Sequence, residues 1–152
     1  MKLTTKGEYA TRILMELSTA EGLGPISVHD LAARTGISTK YLEQIMGRLR
    51  EARVVRSRRG SHGGYELARE PEDLTVGEVV RLMDGPLAPS ACASSSAHVA
   101  CPTYRCPSEA SCALRGLWLD VRDAIAGVLD GMTFADLTRR QSEARSAARY
   151  AI

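Results

Sequence analysis

Residues 27–52 read SVHDLAARTGISTKYLEQIMGRLREA, and how this stretch folds decides the architecture. Ser27 with Asp30 three residues on resembles a capping box, so a short helix VHDLAART starts here and turns Val28, Leu31 and Ala32 inward. Gly36 ends it. After the turn TGIS, Ser38 is placed to cap a second helix reaching about Ala52, with Leu42, Ile45 and Leu49 inward and Ile37 at the corner. Two short helices around a tight glycine turn are the layout of a helix-turn-helix, whose second helix lays its polar face in a DNA major groove. That face carries Thr39, Lys40, Glu43, Gln44 and Arg48, and Ser38 and Tyr41 join them as expected DNA contacts.

Upstream, Ala10, Ile13, Leu14 and Leu17 recur at helical spacing over residues 4–19, and EGLGP stops that helix. Downstream, RVVRSRRGSHGGYELA gives two β-runs, Val54 to Arg58 and Tyr65 to Ala68, about a glycine-rich tip. A hairpin directly behind a helix-turn-helix is a wing, and Arg56, Arg58, Arg59 and His62 are placed to meet phosphates. GSHGG is not a phosphate-cradling loop, because it lacks the lysine and the following helix that such a loop needs. Thr75 and Glu78 open a further helix through Val76, Val79, Val80 and Met83, closed by DGP.

Charge follows this layout. Between Arg34 and Arg59 eight basic residues face two acidic ones, a local charge of +6 in a chain whose total is +2. Lysine and arginine supply affinity for phosphates, while amides and guanidinium groups read base edges: Arg48 suits guanine, Gln44 adenine and Glu43 a cytosine amine. The 152 residues fit one domain with an extension; 44% hydrophobic, 25% charged and 5% aromatic residues describe a globular, mainly α chain. No apolar run approaches the roughly 18 residues that span a bilayer, and the polar N-terminus is unlike a signal peptide, so a cytoplasmic protein is expected, with no membrane partner. No nucleophile, base and acid form a constellation, so the chain is read as no enzyme.

All four cysteines fall in one loop without helical or strand period, Cys92, Cys101, Cys106 and Cys112, spaced C-x8-C-x4-C-x5-C. A loop of this length is functional or disordered. In a reducing compartment clustered cysteines point to metal or redox chemistry more than to structural disulfides. The close C-x2-C pairs of structural zinc sites are absent, whereas wide spacing is compatible with an iron–sulfur cluster; zinc, a thiol–disulfide switch and no function remain open alternatives. Cys112 stands at the mouth of a helix, where the dipole favours an anionic ligand. That helix shows an apolar stripe of Leu114, Leu117, Trp118, Val121, Ile125 and Val128 and wants a partner. His29, His62 and His98 have no evident acid or nucleophile partner. Thr133 and Asp136 start a last, shorter helix with Phe134 and Leu137 inward.

MKLTTKGEYA, the block from GISTKYLEQIMGRLREARVV through SHGGYELAREPEDLTVGEVVRLMDGP, and CPSEASCALRGLW resemble the IscR, NsrR and CymR family of bacterial winged-helix regulators. The resemblance spans residue 1 to about 137. It implies a homodimer on palindromic double-stranded operators, held by the helix around Trp118, and in its iron–sulfur branches a cluster of two or four irons on three loop cysteines, matched here by Cys92, Cys106 and Cys112. It further implies that an acid near position 8, here Glu8, completes the cluster from the other subunit, in competition with the additional Cys101. Arg115 stands where one branch has a ligating histidine, and arginine cannot ligate iron. The expected organisation is a winged helix-turn-helix domain over 1–86, a cluster-binding loop over 87–112, a dimerisation helix and short helix over 113–140, and a frayed or disordered tail over 141–152. The rival readings are a cluster-free regulator of cysteine-metabolism type, controlled by thiols or a partner protein, and an iron–sulfur redox protein that regulates nothing.

Overall fold

The computed structural model describes residues 3–60, 62–101 and 108–150. Helix α1 (Thr5–Thr19) buries Ala10, Ile13, Leu14 and Leu17, the residues whose spacing predicts its inner face. Helix α2 (Val28–Thr35) starts where the Ser27 hydroxyl accepts the Asp30 amide and ends at Gly36, whose φ of 70° is the left-handed conformation that costs a side chain about 1–2 kcal/mol. Helix α3 (Thr39–Glu51) buries Leu42, Ile45, Met46 and Leu49. Ser38 holds the N-cap position of α3 without a side-chain hydrogen bond, which corrects the expected cap: only its backbone geometry starts the helix. Arg53, with φ 56°, turns the chain out of α3 and is the one non-glycine residue at positive φ among those described.

Strands β1 (Val55–Arg58) and β2 (Gly64–Leu67) pair antiparallel, Val55 opposite Leu67 and Arg58 opposite Gly64. Ile26 and Tyr65 exchange backbone hydrogen bonds of 2.9 and 2.8 Å, so the segment before α2 adds a third rung to the wing. A methyl group at Gly64 would strike the Ile26 carbonyl, so the second glycine of HGGY serves this close approach rather than the tip. Helix α4 (Val76–Asp84) follows Thr75, whose hydroxyl accepts the Glu78 amide, and it buries Val76, Val79, Val80 and Met83. The architecture is mainly α, a winged helix-turn-helix.

Beyond α4 the chain is irregular from residue 87 to 101 except for a 3-10 turn at Ala91–Ala93, yet Leu87, Cys92, Ala93 and Ser94 are buried. Helix α5 (Ala113–Asp130) has no buried residue, although Ile125 and Leu129 pack against the core from one side. Helix α6 (Phe134–Tyr150) follows at once. Phe134, the only phenylalanine, is fully buried in the winged core, which fixes the first turn of α6. The helix continues past residue 140, where TRRQSEARSAAR holds no Gly or Pro and is rich in strong helix formers that extend an anchored nucleus.

Candidate functional site

The outer face of α3 presents Ser38, Thr39, Lys40, Glu43 and Gln44 to solvent, as expected for a groove-reading surface. Two more of the expected contacts also have partners within the chain. Tyr41 is half-buried and meets Tyr9 edge-on at 5.8 Å, so it fastens α3 to α1. Arg48 donates to the Met83 carbonyl at 3.4 Å, which turns its guanidinium toward the end of α4. On the wing, Arg56 lies 2.8 Å and Arg58 3.9 Å from the half-buried Glu66 carboxylate, so one acid partly neutralises two of the arginines. Arg59 and His62 are exposed at the tip and form no ion pair among the described residues.

The second constellation lies at the N-terminus of α5. Cys92, Cys101 and Cys112 border one cavity of about 70 Å³ together with Ser90, Glu109, Leu114, Arg115 and Trp118. Cys106 lies outside the described residues. Cys92 is 8% exposed, its sulfur 3.2 Å from the Ser90 hydroxyl, and Cys112 occupies the N-cap of α5. Arg115 donates to the Cys92 carbonyl at 3.0 Å and Arg122, two turns on, donates to the Ala93 carbonyl at 2.9 Å, strapping the cysteine loop to α5. Arg115 thus acts as a brace between the loop and α5.

Glu109, not anticipated from the sequence, organises this site. Its carboxylate accepts the Cys101 amide at 3.3 Å, pairs with His98 at 2.9 Å and lies 3.6 Å from Arg115. The hydrogen bond from His98 is the main reason its carboxyl is held below the usual carboxylate range. The available signal was that Glu109 is the only acid between Asp84 and Cys112, midway between Cys106 and Cys112.

The donor set suits an iron–sulfur cluster. Thiolates are its natural ligands, and three of the four cysteines line one cavity. Glu8 is elsewhere: on α1 it pairs with Arg12 at 2.6 Å and borders an apolar groove of about 570 Å³ with Leu3, Val76, Val80, Ile125 and Val128. Cys112 and Ile125 stand at opposite ends of a continuous helix, about 20 Å apart at 1.5 Å per residue, so the structure does not bring Glu8 and the thiols of one chain together. Along α5, Leu114, Leu117 and Val128 are 58%, 51% and 67% exposed, with Trp118, Val121 and Ile125 half-buried between them.

The sequence model of Rrf2, described as an iron-dependent transcriptional regulator, matches residues 3–140. The chain belongs to the Rrf2 family. Among Rrf2 relatives it is 37% identical over 137 residues to the HTH-type transcriptional regulator CymR of Bacillus subtilis, which covers 90% of this chain and 89% of that one. The solved structure of B. subtilis CymR, described as the global cysteine regulator, superposes with a TM-score of 0.76 at 36% identity over 92% of this chain and 98% of the other. That of T. potens IscR gives 0.74 at 35% identity over 95% and 90%. This Rrf2 chain is therefore a transcriptional regulator with a winged helix-turn-helix, and its relatives are regulators rather than enzymes. None of its described helices is long and apolar enough to cross a membrane.

Proposed function

We propose that this Rrf2 regulator works as a homodimer on palindromic DNA and senses iron–sulfur status, redox state or nitric oxide through an iron–sulfur cluster. The observation that carries this reading is the convergence of Cys92, Cys101 and Cys112 on one cavity at the head of a helix whose apolar face is uncovered. Cys92, Cys106 and Cys112 would hold the group, and Cys101 or Glu8 of a second copy would complete the set. When bound, the cluster supplies a centre that exchanges electrons or reacts with nitric oxide. Arg115 and Arg122 hold the loop to α5, and Glu109 orients the backbone at Cys101. A two-fold dimer through α5 would present two α3 helices to successive major grooves about 34 Å apart, with Thr39, Lys40, Glu43 and Gln44 toward bases and Arg59 and His62 toward phosphates.

The test is anaerobic purification with iron, sulfide and ultraviolet–visible analysis of wild type beside Cys112→Ala. Wild type is expected to be coloured and to carry both elements, and the variant to lose them; colourless wild type after reconstitution would refute the cluster. The similarity to CymR favours one alternative, a cluster-free regulator whose thiols respond to oxidant. In that case DNA affinity changes with peroxide and is indifferent to iron.

A further inference from the structure

The motif TVGEVVRLMDGP enters none of the roles described so far, although two of its residues are keyed to distant parts of the chain. At the first turn of α4, the carboxylate of Asp130, the last residue of α5, occupies the space a methyl group at Gly77 would fill. Arg81 then clasps Asp130 through both guanidinium nitrogens, at 2.5 and 2.7 Å. Two backbone hydrogen bonds, Val76 to Met132 at 2.9 Å and Phe134 to Leu74 at 3.0 Å, close the same joint. At the other end of α4 the arrangement recurs. Asp84 lies over Gly7 and accepts the amide and hydroxyl of Thr4, while the neighbouring Met83 carbonyl accepts from Arg48 of α3.

Helix α5 buries no residue of its own; Arg115 and Arg122, near its start and at its middle, tie it to the cysteine loop, Ile125 and Leu129 pack against the core, and Asp130 at its last turn ties it to α4. The same helix thus touches both the cysteine loop and α4, a contiguous path between the two. Helix α4 in turn meets α3 at its far end, through the Arg48–Met83 hydrogen bond.

We propose that Arg81 and Asp130, seated by Gly77, are positioning residues that set the angle of α3 relative to α5 and carry the state of the cysteine cavity to the DNA-reading face. The inference rests on the sensing role proposed above. It assigns Arg48 to holding α3 rather than to reading a base.

Two variants test it. Asp130→Asn removes one charge, and Gly77→Ala displaces the carboxylate while leaving both charges and adding a better helix former. The pair is half exposed, so both variants are expected to melt close to wild type and to load iron and sulfide equally. Affinity is read by fluorescence anisotropy on a duplex enriched from a random-sequence pool by the wild-type protein, before and after the cluster is stripped with a chelator. The wild-type ratio of the two affinities is expected in the range of about 5- to 150-fold usual for coupled sites, and in both variants it collapses toward unity. Without any cluster, amide exchange in α3 and α4 rises in the variants. Variants that keep the wild-type ratio would overturn this role for the clasp and leave the sensing proposal standing. A wild-type ratio of unity would overturn both.

Discussion

Arg53 adopts a conformation that a glycine would occupy without strain, at the turn where α3 gives way to the wing. Arg53→Gly is expected to raise stability by up to about 1 kcal/mol in chemical denaturation, because relief of the left-handed conformation outweighs the extra chain entropy of glycine. Among the proposed DNA contacts the wing arginines divide by their partners. Arg59 has no ion pair among the described residues, so Arg59→Ala should lower affinity for every sequence and reduce the salt slope by about 0.9, the loss of one phosphate contact. Gln44→Ala should leave that slope alone and shift base preference, read by binding to a panel of duplexes. These residue types and their exposure were legible from pattern and charge. The engagement of Arg48 and Tyr41 was not, because it depends on where the end of α4 and the ring of Tyr9 lie in space.

At the scale of elements, α1 to α5 were readable because each pairs a 3.6-residue apolar spacing with a capping or stopping residue, and the wing because two β-runs flank glycines. The reach of α6 was not, since beyond Phe134 and Leu137 the stretch TRRQSEARSAAR has no apolar period to mark a helix. Nor were the sockets at Gly7, Gly64 and Gly77, which exist only because a distant carboxylate or carbonyl arrives there. The start of α6 carries a pH signature. Thr133 donates its amide and hydroxyl to Asp136, and chiefly the hydroxyl bond holds that carboxyl below the usual range. A depressed folded value means the stabilisation is complete above the ordinary aspartate pKa, about 4, and is lost as pH falls through the lower folded value. Thermal melts across that acid range should therefore show a shallower decline for Asp136→Asn than for wild type.

For the molecule as a whole, the uncovered stripe on α5 is the proposed dimer surface. Leu117 is half exposed at its centre, so Leu117→Glu is expected to shift sedimentation toward a monomer and to weaken operator binding more than any single groove-facing change, since both half-sites are lost together. A dimer that persists with unchanged DNA affinity would move the interface elsewhere. The candidate thiols could be named from the sequence, but their shared cavity, and the carboxylate that organises its backbone, arise from the way α5 receives the loop. Trp118, the chain's single tryptophan, stands in the wall of that cavity. Its emission is therefore an intrinsic optical probe of this one spot: quenching or a colour shift during titration with iron, oxidant or nitric oxide can be followed in real time without attaching any dye.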